Sequence, residues 1–159
     1  MDKLEITYRG VIYPWQCDHM GHMNVMWYTG KFDEASWYLL GRAGLTTTYL
    51  HSRKCALAAV QQNITYRREL RAGDIITIRS GILEIQDKSV QMFHEMRKDE
   101  TQVVAAFTFV TGVYMDTQKR KSSPIPLEIR EKIKGLQLNQ NALYWEDTLT
   151  PGSKADSIG

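Results

Sequence analysis

The sequence predicts an α+β domain in which a strongly curved antiparallel sheet wraps one long central helix. Two observations carry that prediction. Residues Val25 to Leu40 are apolar over much of a helical circumference, and from Ala56 onward the chain runs in long alternating segments separated by short polar turns. A third sets the scale: 159 residues suffice for one domain with a sizeable core, placed here at 1–138 and followed by a polar tail at 139–159.

Leu4, Ile6, Tyr8, Val11 and Tyr13 mark a first strand, with a slip in the alternation expected at Gly10, and Pro14 ends regular pairing. Asn24 is a good N-cap, because its side-chain oxygen can accept from the free N–H groups of a first helical turn. The helix is predicted from Val25 to Leu40, with Gly41 and Gly44 as left-handed stops. Tyr28, Phe32, Ala35, Ser36 and Leu39 form one face, whereas Val25, Met26, Trp37, Tyr38 and Leu40 lie elsewhere on the wheel. Such a helix needs enclosure by a sheet, and its N-terminus, with unpaired N–H groups and the positive dipole end, opens at the Asp18-Gly21-His22 turn. Leu45 to Lys54 has no clean period and reads as a loop able to fold over that turn.

The strands follow. Val60, Gln62, Ile64, Tyr66 and Arg68 share one face and Gln61, Asn63, Thr65 and Arg67 the other, and Arg71-Ala72-Gly73-Asp74 turns the chain. Ile76, Ile78, Ser80 and Ile82 alternate with Ile75, Thr77 and Arg79, and Gln86-Asp87-Lys88 leads into Val90, Met92, His94 and Met96. Beyond a turn at Lys98 to Thr101, Gln102 to Met115 is apolar on both parities, as in a central strand covered on both faces. Turns this short make neighbouring strands antiparallel. Ser122 to Pro126 breaks the sheet, a short amphipathic helix is predicted at Leu127 to Lys134 closed by Gly135, and Pro151 to Gly159 is expected to be mobile.

Twenty basic and eighteen acidic side chains leave a net charge of +2, so the overall balance argues for neither a nucleic-acid duplex nor an anionic membrane as partner. Two cysteines, Cys17 and Cys55, without a charged-then-apolar leader or a run of 18 apolar residues, fit a reduced cytoplasmic compartment. The chain shows no internal repeat, P-loop or dinucleotide fingerprint, and no cofactor is expected.

Asp18, His19 and His22 stand at the helix mouth, and the active site is read there. Bland readings compete: Asp18 fits an ordinary turn carboxylate, His22 a buried histidine satisfied by backbone, and Asn24 a plain N-cap. Cys17, His19 and His22 would also permit zinc or a cysteine nucleophile. Neither is favoured, and no metal is expected, because structural zinc takes four spaced ligands and the chain has no second cluster. Neighbours at a strand end point in opposite directions, so Cys17 and Asp18 should not both face a substrate.

Strand, Asp18-His19-Met20-Gly21-His22-Met23-Asn24, Tyr28 on an aromatic helix, then Tyr66-Arg67-Arg68-Glu69-Leu70-Arg71-Ala72-Gly73-Asp74 at a strand end: this pattern resembles the hotdog-fold acyl-CoA thioesterases of the 4-hydroxybenzoyl-CoA thioesterase type. The resemblance runs from about Leu4 to Pro126. It implies a hotdog fold and a homodimer whose sheets join edge to edge, often paired into a homotetramer, with acyl-CoA bound at the subunit interface. It also places the family's catalytic carboxylate, as base or nucleophile, at Asp18 and its helix-start backbone donor at Asn24 or Val25. Fold alone does not fix chemistry, since dehydratases and non-catalytic acyl-CoA binders share the architecture.

Thioester hydrolysis needs a polarised carbonyl and an activated water or nucleophile, which a helix N-terminus and a nearby carboxylate supply. His22 could orient Asp18 or touch the thioester. Three of the four tryptophans crowd into the opening stretch, so Tyr13, Trp15, Trp27, Tyr28 and Phe32 are expected to line the acyl pocket, favouring a small or flat acyl group. A quaternary-ammonium acyl group such as betainyl, held over aromatic faces, is one such substrate. Arg67, Arg68 and Arg71, and Lys119-Arg120-Lys121, offer phosphate contacts for CoA, or else a solvated basic edge. The rival functions are a non-catalytic acyl-CoA-binding module, disfavoured by the carboxylate at the helix mouth, and an enoyl-CoA hydratase, which would pair a histidine with a carboxylate.

Overall fold

The computed structural model describes residues 4–139. Strand β1 (Glu5–Val11) leads through a 3₁₀ turn (Pro14–Gln16) and a short loop into α1 (Val25–Arg42) and α2 (Thr47–Arg53). Four long strands follow, β2 (Cys55–Tyr66), β3 (Ile75–Ile85), β4 (Ser89–Lys98) and β5 (Val104–Asp116), then the two-residue β6 (Lys121–Ser122) and α3 (Leu127–Lys134). The named strands all pair antiparallel, in the order β1-β3-β4-β5-β2 with β6 beside the end of β5. The sheet curls around α1 as a hotdog fold, as the helix-then-strands pattern predicts.

Helix α1 buries Tyr28, Lys31, Phe32, Ala35, Ser36, Leu39 and Leu40 against the concave face of the sheet. Its core divides along the helix. Tyr28, Phe32 and Ala35 pack with Ile76, Ile78 and Met96 near the N-terminal end, and Leu39 and Leu40 with Ile82, Val90, Met92 and Tyr114 near the C-terminal end.

Between the two halves runs a buried polar chain. Ser36 donates to the Phe32 carbonyl at 3.0 Å, so its oxygen accepts from His94 Nε2, 2.9 Å away. His94 is then a neutral Nε2–H tautomer whose Nδ1 accepts from Ser80 at 2.5 Å, and Ser80 in turn accepts from Thr7 at 2.6 Å. Burial holds the His94 pKa down at about 3, from an ordinary 6.5. One proton-ordered chain thus ties β1, β3 and β4 to the helix.

Several boundaries differ from the sequence reading. The irregularity in β1 falls between Ile6 and Tyr8, not at Gly10, because the extra residue, Thr7, turns inward to complete the polar chain. Gly10 serves packing instead: a Cβ there would lie 2.6 Å from the Tyr8 hydroxyl. Helix α1 runs two residues past Leu40, through Gly41, and only Gly44 (φ +86) adopts the left-handed conformation expected of a stop.

The expected loop over the site, Leu45 to Lys54, is helix α2 with Thr46 as N-cap. It packs at the far end of α1, where Tyr49 meets Glu128 of α3. Its capping threonine and buried Leu45 and Leu50 carry that helix, a signal too short to show as a period. Helix α3 matches its predicted bounds with Gly135 at its C-cap, and β5 is an interior strand as read. The expectation for Pro151 to Gly159 concerns positions outside the described residues. No helix among the described residues is long and apolar enough to cross a membrane.

Candidate active site

The loop before α1 is built by backbone. Gln16 accepts the Asn24 N–H at 2.9 Å and the Asp18 N–H bonds the His22 carbonyl at 3.0 Å, closing a tight turn in which Gly21 takes φ +80. Met23 then donates to the Leu70 carbonyl at 2.7 Å, and Gly73 and Asp74 exchange backbone bonds with Ile12. The D-x-x-G-H-x-N loop and the R-x-G-D turn, distant in sequence, are therefore sewn together at one end of the sheet.

Within that loop, Asp18 Oδ1 accepts from the Met20 N–H at 2.9 Å and Oδ2 from Asn24 Nδ2 at 3.0 Å. The Asn24 bond, first, and the Met20 N–H, second, hold the Asp18 carboxyl below the usual carboxylate range. Each oxygen keeps a free lone-pair direction for water or substrate. Asn24 is also the N-cap of α1, its Oδ1 accepting from Met26 at 3.1 Å. The Val25 N–H, first of the helix, has no partner among the described residues. An ionised carboxylate and an open helix end thus share one bridging side chain.

His22 pairs with Glu69, Nε2 to Oε2 2.8 Å, rather than with Asp18. Sequence reading missed Glu69 and Gln16, because nothing in their spacing shows that they meet this loop. Cys17 directs its sulfur toward the Tyr13 carbonyl at 3.8 Å. Among the described residues no three His, Cys, Asp or Glu side chains form a group that could hold a metal ion.

The aromatic residues divide. Tyr13 and Trp15 stack in parallel, centroids 4.4 Å apart, with 46% and 67% of their surfaces exposed. Trp27 is half-buried against the core, Tyr28 is buried edge-on to Tyr66 with centroids 5.1 Å apart, and burial pushes its hydroxyl up to about 12. Phe32 is wholly enclosed, packed near His94, and so lines no surface.

The family model of the thioesterase-like superfamily matches residues 12–133. The chain belongs to the thioesterase-like superfamily. It is similar to the long-chain acyl-CoA thioesterase FadM of Escherichia coli strain K12, with 26% identity over 131 residues, 82% of this chain and 96% of that protein. Its fold is that of SAV2348 from Staphylococcus aureus, solved in complex with CoA (TM-score 0.79, 18% identity, 86% of this chain and 89% of that one). It is equally that of Slr0204, a 1,4-dihydroxy-2-naphthoyl-CoA thioesterase from Synechocystis (TM-score 0.73, 20% identity, 82% and 96% covered).

In this thioesterase-like protein the basic residues singled out in the sequence fall at two ends. Arg67 and Arg68 follow β2 next to the Asp18 loop, both backbone N–H groups bonding the Ala105 carbonyl; the Arg67 guanidinium lies over the Phe107 ring at 5.4 Å, and Arg68 donates to the Arg67 carbonyl at 2.9 Å. Arg71 is exposed in the adjoining turn, its N–H on Asp74 Oδ2. Lys119, Arg120 and Lys121 lie beyond the opposite end of β5.

Proposed function

We propose that the chain hydrolyses a small acyl-CoA thioester to the free acid and CoA, with Asp18 as base or nucleophile and the start of α1 as the group that polarises the carbonyl. Thioester hydrolysis of an acyl-CoA as a class follows from the superfamily and the FadM relative. The observation that carries the assignment of residues is the Asn24 bridge, which fixes an ionised Asp18 beside the open first turn of α1.

In the base form of this reading, Asp18 accepts a proton from water as the water oxygen bonds to the thioester carbon. The Val25 N–H and the helix dipole stabilise the oxyanion. The C–S bond then breaks, and the leaving thiolate takes the proton from Asp18. In the nucleophile form Asp18 bonds to the carbon itself, the C–S bond breaks to release CoA thiolate, and water then cleaves the resulting mixed anhydride to the acid and a free Asp18 carboxylate, its proton passing to the thiolate. His22, tied to Glu69, positions the loop rather than the reacting atoms.

The finer resemblance, to the 4-hydroxybenzoyl-CoA thioesterase type, is carried forward here, and the exposed Tyr13–Trp15 stack supports it by offering a flat aromatic face near Asp18. The same face suits a quaternary-ammonium acyl group such as betainyl. A homodimer, in some members paired again to a tetramer, is supported by the edge position of β2 and its exposed residues Ala59–Asn63. The two free cysteines support a cytoplasmic setting.

A free-thiol release assay over short aliphatic, aromatic and trimethylammonium acyl-CoA esters tests the reading. Release with at least one class supports it. Binding without release would make the chain an acyl-CoA-binding module, and water addition to an enoyl-CoA without thiol release would make it a hydratase.

A further inference from the structure

The run Gln102 to Met115, apolar on both parities, requires a strand covered on both faces, and α1 covers the concave one. Met92, His94 and Met96 of β4 and Ala106 and Val110 of β5 point toward α1, so Phe93, Glu95, Phe107 and Phe109 stand on the convex face. There Phe93 lies opposite Phe109 with ring centroids 5.3 Å apart, and Phe107 is edge-on to Phe109 at 6.1 Å. Arg79 and Arg97 both donate to Glu95 beside them. Phe93 is 1% exposed, and Phe107 and Glu95 4% each, values that belong to an interior. Among the described residues, the apolar side chains that reach this group from outside the four long strands are Leu4 and Leu138. Leu138 arrives by a built route. The Ile82 N–H donates to the Leu136 carbonyl at 3.4 Å, the Leu138 N–H to the Ile82 carbonyl at 2.8 Å and Gln137 Nε2 to the Leu83 carbonyl at 3.1 Å, a parallel bridge on β3 past the end of its pairing with β1. Gly81 opens the passage, since a Cβ there would lie 2.7 Å from the Leu138 side chain. The described residues end one position later, at Asn139, beside the phenylalanine row.

We propose that Gln140 to Asp147 continue from this point as a strap across the convex face, seating Leu143, Tyr144 and Trp145 on the phenylalanines and Glu146 and Asp147 beside Arg67. The strap is the second cover that β5 requires, and it is independent of the reaction at Asp18.

Composition, reach and charge fit together. Leu143-Tyr144-Trp145 interrupts an otherwise polar segment, and large apolar side chains in such a segment gain by burial on a matching patch. The strand register sets Gly81 opposite Phe93, Phe93 opposite Phe109 and Phe109 opposite Asn63, so the row runs from β3 to β2 in three strand steps, about 14 Å at roughly 4.8 Å each. From Leu138 to Trp145 is seven residues, about 23 Å when extended at roughly 3.3 Å each, enough to cross the whole row. At its far side the Arg67 guanidinium lies over the Phe107 ring at 5.4 Å, and the acidic pair that follows Trp145 complements that charge. A second copy stacked on the face would also cover it. The strap has the advantage of its tether: a segment joined to Leu138 competes for the patch at an effective concentration in the millimolar range.

The test is amide hydrogen exchange, read by mass spectrometry on the full chain. Amides from Ala142 to Glu146 should exchange about tenfold or more slowly than in a free peptide of the same sequence. Free-peptide rates throughout this stretch would overturn the proposal and leave the face to a second copy. Phe109→Asp, at a half-buried position of the patch, should return the segment to free-peptide rates while the amides of α1 stay protected. A segment still protected in that variant would lie elsewhere, and the proposal would fail. Should Phe109→Asp loosen α1 as well, the double variant Leu143→Ser, Trp145→Ser decides, because it leaves the sheet itself untouched. Its melting temperature should fall by about 5 °C or more if both side chains are seated, and an unchanged value would refute the strap. None of these readouts depends on turnover, so failure here is distinct from failure of the thioesterase reading.

Discussion

Asn24 donates its side-chain N–H to Asp18 Oδ2 at 3.0 Å while its own Oδ1 accepts the Met26 N–H at 3.1 Å. One side chain therefore sets both the carboxylate and the first turn of α1, so the two can be separated by substitution. Asn24→Ser keeps a capping oxygen but is too short, and lacks the N–H₂ fork, to hold Asp18; kcat should fall with melting temperature retained. Asn24→Ala removes both and should also cost about 1 kcal/mol of stability. Equal kcat for Asn24→Ser and wild type would show that the bridge serves the fold alone.

Asp18→Asn should lower kcat by roughly 10²-fold or more, with folding little changed, because an amide neither accepts a proton nor attacks a thioester. The pH profile carries the sign. With its pKa held below the ordinary 3.8, Asp18 stays ionised through neutral and mildly acidic pH, and its acidic limb of kcat should lie below the usual carboxylate range. Asn24→Ser should move that limb upward, because the larger of the two lowering hydrogen bonds is lost. Near wild-type hydrolysis by Asp18→Asn would redirect attention to His22 and Glu69.

The exposed Tyr13–Trp15 stack and the half-buried Trp27 should respond differently to truncation. Trp15→Ala, removing a largely solvent-facing ring, should reorder kcat/KM among aliphatic, aromatic and trimethylammonium esters with little change in melting temperature. Trp27→Ala should lower the melting temperature, approaching the roughly 3 to 5 kcal/mol of a core truncation as its burial allows. A selective loss of the cationic ester on Trp15→Ala would support cation–π recognition, since neutral isosteres should lose less.

Val60, 61% exposed at the bulge of the β2 edge, is where a second copy would pack. Val60→Lys should weaken the dimer, seen by light scattering as a shift toward monomer on dilution, because a charge on an edge strand opposes pairing. A wild-type protein that scatters as a monomer at micromolar concentration would contradict the dimer itself.

His94 gives an acid limit to stability. Its native pKa, about 3, lies below the ordinary 6.5, so below pH 6.5 the unfolded chain binds a proton that the native one refuses. Stability should fall as pH drops, at up to ~1.4 kcal/mol per pH unit from this group. Asp18, Asp74 and Asp116, whose pKa values are lowered from 3.8, add their loss only at more acid pH. His94→Gln should therefore flatten the melting temperature between about pH 6.5 and 4.5. It should also lower it at pH 7, where the chain from Thr7 to Ser36 loses a partner.

The sequence by itself determined the long elements, α1 and the strands from β2 to β5, and their order. Period 2 from Ile75 to Met96 and the broad apolar wheel of Val25 to Leu40 are local statements, enforced residue by residue through burial, and α3 with its Gly135 cap is read the same way. Asp18 and Asn24 could be marked because a cap and a turn are also local. Which groups they meet was decided only in three dimensions. The slip in β1 lies at Thr7 because Ser80 waits across the sheet; His22 faces Glu69 because Met23 pairs with Leu70; and Leu45 to Lys54 becomes a helix at the far end of α1 rather than a cover for the site. Contacts of that kind depend on the side chains of distant segments fitting together in one packed interior, which no window along the chain contains.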